Sequence, residues 1–188
     1  MSEETKKTRI IFTAAQGIKN FGAALIRYFD NTPFSHVGFL DADDIIYEAT
    51  MSGGIVMTSL SDFQKTGYPY IICEVDSADY LACREKAASL MNSGLSYDKK
   101  MISKMFFRRM PIFSALSGKI QPTKHGRICS GLVCEILQEG GVQIVKDFNT
   151  LLAVPRDVYL DPAVKVVGGN DQGLAIDSKY INDIKCTL

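Results

Sequence analysis

Arg127-Ile128-Cys129-Ser130-Gly131-Leu132-Val133-Cys134-Glu135-Ile136-Leu137-Gln138-Glu139-Gly140-Gly141 is the stretch whose reading decides the fold. From Ser130 onward its apolar residues fall at 132, 133, 136 and 137, the one-sided stripe of an amphipathic helix. Gly140 and Gly141 then supply a residue able to take positive φ, the usual close of such a helix. Cys129 therefore stands at the helix start, where unpaired backbone N–H groups and the positive end of the dipole favour an anion. A thiol placed there is biased toward thiolate, the form that attacks carbonyls. The competing reading is a buried structural cysteine, which is what most free cysteines are. The rest of the chain has to decide.

The chain has 188 residues, enough to bury a real core as a single domain over 1–188. Lys and Arg number 21 against 21 Asp and Glu, so no global field argues for a nucleic-acid partner. Five cysteines, an odd count without regular spacing, fit reduced thiols better than a disulfide framework. Residues 1–7 read as a flexible polar N-terminus and not a signal peptide, and no stretch approaches the roughly 18 apolar residues of a membrane span. A cytoplasmic protein is expected.

Thr8 to Thr13 reads as a strand, Ile18 to Phe29 as a helix, and Ser35 to Leu40 with Asp44 to Ala49 as a hairpin around residues 41–43. Ile55 to Thr58 and Tyr70 to Val75 are further strands. Ser77 to Met91 reads as a helix with Ser77 as N-cap and Leu81, Ala88 and Met91 on its apolar side. Val142 to Val145 and Val164 to Val167 are expected as strands, with a turn or short helix start at Val154-Pro155-Arg156-Asp157. Residues 168–188 form a tail without an assigned role. The segment 99–127 stands apart, with eight basic residues and no acid in 29 positions, interleaved with Met and Phe. As an ordinary helix it would expose a solvated basic face; as a functional segment it would seat a lipid-like or anionic substrate, or an anionic membrane surface, through Arg108 and Arg109.

A base for the thiol has to come from one of two histidines. His36 lies in a strand, which holds an imidazole at fixed geometry, whereas His125 lies in a loop-like basic stretch. With a three-residue loop, position 40 faces 44, 38 faces 46 and 36 faces 48, placing Glu48 opposite His36. Glu48 would then accept the Nδ1 proton and leave Nε2 to address a thiol. A four-residue loop would instead put Ala49 opposite. Cys129 and Cys134 are five apart, roughly 140° around a helix, so they do not face each other as a redox pair. No Cys or His spacing suggests zinc, and nothing calls for a metal or organic cofactor.

Phe34-Ser35-His36-Val37-Gly38, then Tyr47-Glu48-Ala49, then Tyr97-Asp98, then Cys129-Ser130-Gly131-Leu132-Val133 resembles the permuted papain-like amidases. These are the YiiX-like, circularly permuted branch of the NlpC-type cysteine peptidases, akin to the lecithin:retinol acyltransferase family. Val154-Pro155-Arg156-Asp157 with Asp161-Pro162 is similar to that family's closing segment. The order is its most specific element: histidine strand first, acidic residue next, cysteine helix last. The resemblance implies an α+β, papain-like fold, an antiparallel sheet or half-barrel packed against the cysteine helix. It also implies Cys129 as nucleophile, His36 as base and Glu48 as third polar residue, with Tyr97 and Ser130 at the substrate. An oxyanion would draw on the Cys129 backbone N–H. The chain departs from the family at Ile128, where an aromatic is usual, and at Gly131, where a carboxylate is favoured.

The function so implied is a cysteine hydrolase acting on a peptide, isopeptide or lipid-like amide or ester. A thiol acyltransferase and a catalytically silent module binding a peptide or anionic membrane are the alternatives. Nucleic acid is not an expected partner, and the oligomeric state is not readable from the sequence.

Overall fold

A computed structural model describes residues 7–14, 32–76, 78–102, 126–145 and 153–170. The helix expected over 18–29, His125 and most of the basic segment, Arg108 and Arg109 included, lie outside the described residues. The strands are β1 (Arg9–Thr13), β2 (His36–Leu40), β3 (Ile45–Thr50), β4 (Gly54–Ser59), β5 (Tyr70–Val75), β6 (Ser96–Tyr97), β7 (Gly126–Arg127) and β8 (Val164–Asn170). The helices are α1 (Leu60–Gln64), α2 (Tyr80–Met91), α3 (Cys129–Glu139) and α4 (Pro155–Tyr159). Six strands form one antiparallel sheet in the order β4-β3-β2-β1-β5-β8, and β6 pairs with β7 in parallel. The fold is α+β, as expected.

β1 is central and buried on both faces, which is why its apolar residues run together instead of alternating with polar ones. Ile10 and Phe12 point into the main core with Val37, Phe39, Tyr47, Ile71 and Cys73. Leu132, Val133, Ile136 and Leu137 of α3 and Cys83, Ala87 and Leu90 of α2 close that core. Ile11 points to the other face with Leu40, Ile46 and Tyr70, under Leu60 and Phe63 of α1. The cysteine helix thus lies directly on the sheet.

Several local expectations are corrected. The second helix starts two residues later than expected, capped by Asp79, whose carboxylate accepts the N–H groups of Leu81 and Ala82. Asp76 N–H is still bonded to Ala163 O beside the sheet, so the chain cannot turn helical before it leaves that contact. The buried face is accordingly Tyr80, Cys83, Ala87 and Leu90, while Leu81 is exposed. Val142 to Val145 is no strand: Val145 takes φ 61, and its N–H donates to Asp161 Oδ2. Residues 168–170 belong to β8, so the expected tail loses its first three positions to the sheet. The helix α1 was not foreseen, although Ser59-Leu60-Ser61-Asp62 carries its signal, with Ser59 Oγ accepting Asp62 N–H.

The close of α3 depends on both of its glycines. Gly141 takes φ +85, and a Cβ on Gly140 would lie 2.4 Å from Cys83 Sγ and 3.0 Å from Asp79 O. Gly140→Ala should therefore push α2 and α3 apart at a cost of about 1–3 kcal/mol. A melting scan should read this as a lower Tm, partly recovered in Gly140→Ala/Cys83→Ala; an unchanged Tm would show that the helices yield freely.

Candidate active site

Cys129 is the first residue of α3, and the backbone bends into the helix through Ile128, whose φ −95 and ψ 163 are extended. No side chain caps this end, and the first intrahelical bond is Leu132 N–H to Ile128 O, 2.9 Å. The early N–H groups are thus left for something other than a cap. Three contacts hold the start in place. β7 pairs with β6, Ser130 donates its hydroxyl to Ala153 O, and Arg127 Nε meets Glu135 at 2.6 Å. The first part of α3 is buried nearly all round, Ser130 and Gly131 included, so the expected one-sided stripe understates how deep the helix lies.

His36 opens β2 opposite Thr13. Pairing between β2 and β3 covers Phe39↔Tyr47 and Leu40↔Ile46, a register shifted by two from the expected one. The buried carboxylate of Asp41 explains the wider turn: it accepts the N–H groups of Asp43 and Ile45, while Asp44 takes φ 58. A shift of two returns every side chain to the same face. Glu48 therefore stands across from Gly38 instead of His36, yet shares its face. A Cβ on Gly38 would lie 3.5 Å from Glu48 Cβ and 2.8 Å from Ile46 Cγ2, so the glycine leaves the room across which Glu48 reaches the ring.

It reaches the nitrogen opposite to the expected one. His36 Nε2 lies 2.7 Å from Glu48 Oε2, which leaves Nδ1 to the Cys129 sulfur. Glu48 Oε1 accepts from the Thr58 hydroxyl at 3.0 Å. The sulfur also accepts from the backbone N–H groups of Val37 and Ser130. Cys129 is 3 % exposed, and the His36 and Glu48 side chains are 20 % and 13 % exposed.

Burial alone opposes charge on all three groups, and their mutual contacts outweigh it. Against burial, the Cys129 sulfur and the Glu48 carboxylate hold His36 up at about 10, from an ordinary 6.5. Against burial, the His36 charge and hydrogen bond, with the Val37 and Ser130 N–H groups, hold Cys129 below its ordinary 9.0. Glu48 is lowered in the same way, by His36 and then Thr58. The arrangement favours a thiolate–imidazolium pair with a carboxylate behind it. Burial instead pushes Cys73 and Cys134 up to about 12 and Cys83 to about 11. Iodoacetamide at neutral pH should accordingly modify Cys129 at least about tenfold faster than these three. Peptide mapping that found all four labelled alike would remove the thiolate.

The pair also sets a pH dependence of stability. The raised His36 contributes fully below pH 6.5 and loses its contribution as pH rises through about 10. The lowered Cys129 contributes fully above 9.0 and loses its contribution as pH falls through its folded value. Between the folded value of Cys129, or 6.5 if that is higher, and 9.0 the two slopes cancel, because folding only moves a proton from sulfur to ring. Urea unfolding of the native chain and a Cys129→Ala/His36→Ala variant should show a stability difference that is flat in that interval and declines above it.

Tyr97 lies on β6, paired with Arg127. Burial first and the neighbouring Cys129 charge second push its phenol up, so it stays protonated near the sulfur. The Ser130 hydroxyl is committed to Ala153 O, so its backbone N–H is what meets the site. Thr58 was missed by sequence reasoning. A strand turned back by Gly53-Gly54 sets Val56 opposite Glu48, and Thr58, two residues on, shares its face.

No family model matches the chain, and no curated protein matches it. Among solved structures it is similar to the crystal structure of metalloprotein yiiX from Escherichia coli O157:H7, with a TM-score of 0.50 at 16% identity. The match covers 88% of this chain and 98% of that one. The likeness to the YiiX-like, permuted papain-like fold expected from the sequence is thus shown at the level of the fold.

Proposed function

We propose that the protein is a cysteine hydrolase of the permuted papain-like type, working through an acyl-enzyme on Cys129. The observation that carries this reading is the contact between a helix-start thiol and a strand histidine whose other nitrogen is held at 2.7 Å by Glu48. The Cys129 thiolate adds to the carbonyl carbon of an amide or ester, forming the C–S bond and an oxyanion. N–H groups at the uncapped start of α3 stabilise that oxyanion. The imidazolium of His36 gives its Nδ1 proton to the leaving amine or alcohol as the C–N or C–O bond breaks. Neutral His36 then takes a proton from water, which attacks the thioester and releases the acid and the thiolate. Glu48 keeps the ring in place and stabilises its charged form throughout. The substrates fitting this chemistry are peptide, isopeptide or lipid-like acyl compounds. Among the described residues no helix is long and apolar enough to cross a membrane.

The yiiX protein is named a metalloprotein. In this chain no group of three or more His, Cys, Asp or Glu side chains among the described residues could hold a metal ion. Both Glu48 oxygens are engaged, by His36 and by Thr58. These residues do not fit a metal.

Incubation with p-nitrophenyl acetate and p-nitrophenyl butyrate tests the reading. The expected result is a burst of nitrophenolate with an acyl adduct mapping to Cys129 by intact and peptide mass. An adduct on another residue, or none, would overturn it.

A further inference from the structure

We propose that Thr58 is a positioning residue for this reaction: its hydroxyl, on the edge strand β4, fixes the free oxygen of the carboxylate that holds the His36 ring. The inference rests on the hydrolase reading and extends it to a strand that supplies none of the three reacting groups. Glu48 has two oxygens, and one hydrogen bond to His36 would leave the carboxylate free to swing about its χ3 axis, a soft torsion. Thr58 Oγ1 at 3.0 Å from Oε1 removes that freedom. An ionised carboxylate only accepts, so the hydroxyl has to donate. The two bonds run from β2 through β3 to β4, so Glu48 is gripped from both neighbouring strands.

The register makes the contact a built one. Glu48 pairs with Val56 and Ile46 with Thr58, so Thr58 is the diagonal neighbour on the face that carries Glu48. The next residue, Ser59, caps α1 and receives Asp62 N–H, which anchors the end of β4. Among the described residues, His36 is the titratable group that faces Glu48. Tyr97 on β6 and Cys134 on α3 are titratable neighbours of the sulfur, and both stay protonated.

The test uses the full chain and two readouts, the pH profile of Cys129 alkylation by iodoacetamide and steady-state turnover of p-nitrophenyl acetate. Thr58→Val keeps the shape and loses the donor. It should lower kcat about tenfold with KM nearly unchanged, and move the acid limb of alkylation up by about half a pH unit. The limb moves up because a looser carboxylate stabilises the imidazolium less, and the imidazolium is what holds the thiolate. Thr58→Ser should restore both values, and Thr58→Ala should behave as Thr58→Val if the valine does not fold. Met57→Ala, on the half-exposed neighbour in the same strand, should change neither.

An alkylation limb and kcat left at native values in Thr58→Val and Thr58→Ala would overturn the Thr58 inference alone. So would a Thr58→Ser chain as impaired as Thr58→Val with its limb unmoved. A native chain whose Cys129 titrates like an ordinary thiol would overturn the hydrolase reading and this inference with it.

Discussion

Cys129→Ala protein should hydrolyse p-nitrophenyl acetate at least about a thousandfold more slowly than the native chain, with no acyl adduct. The size of the effect follows from the other thiols in the described chain. Cys134 sits on the same helix but turned roughly 140° away, and burial leaves it at about 12. Cys73 and Cys83 are likewise buried and raised, and among the described residues neither has an imidazole against it. No described sulfur can stand in for the lost one. Cys129→Ser should fail almost as completely, because an alcohol beside the same histidine stays protonated where a thiol ionises. Both variants should fold, since the change removes or replaces one atom at a helix start already held by Ser130, Arg127 and the β6–β7 pair. Far-UV circular dichroism and urea unfolding check this. Retained turnover, or an adduct formed on Cys129→Ala protein, would move the chemistry elsewhere.

The elements that position this site differ in how far the sequence reveals them. The α3 stripe and its double glycine are local signals, periodicity and φ, and local signals survive into the folded chain. The side chains that touch were also readable as a set, because strand parity keeps His36 and Glu48 on one face under any even shift of register. What the sequence could not show was the size of the shift, since this depends on Asp41 turning its buried carboxylate onto the backbone of its own loop. The ring nitrogen assignment followed from the same missing distance. With Glu48 placed opposite Gly38, the carboxylate meets His36 Nε2, and Nδ1 is left for the sulfur. The start of α2 at Asp79 and the left-handed Val145 were hidden for a related reason. Each is decided by a partner distant in sequence, Ala163 for Asp76 and Asp161 for Val145. Depth was the other hidden quantity. A stripe of four apolar residues predicts one buried face, but Ser130, Gly131 and Cys134 are small enough to let neighbours close over the remaining faces.

His36→Ala tests the pair from its other side, and its effect divides into two parts that can be measured separately. The first is ionisation. Without the imidazolium, Cys129 keeps its burial and loses the largest influence that lowers it. Its pKa should then rise well above the native value, held back only by the Val37 and Ser130 N–H groups. The thiolate fraction at neutral pH would drop steeply. Intrinsic nucleophilicity rises with thiol pKa at a slope of about 0.4–0.5, which returns about half of that loss on the logarithmic scale. Alkylation of Cys129 at neutral pH should therefore slow, by less than the thiolate fraction falls, and its acid limb should move to higher pH. The second part is proton transfer to the leaving group, which alkylation does not need and ester or amide cleavage does. A positioned general acid contributes about 10²–10⁴-fold, so turnover should fall by about that factor beyond the loss in alkylation. The gap between the two losses is the informative quantity. Equal losses would mean that His36 only ionises the sulfur and that the leaving group takes its proton from elsewhere; no loss in either would dissolve the pair that the site is built on.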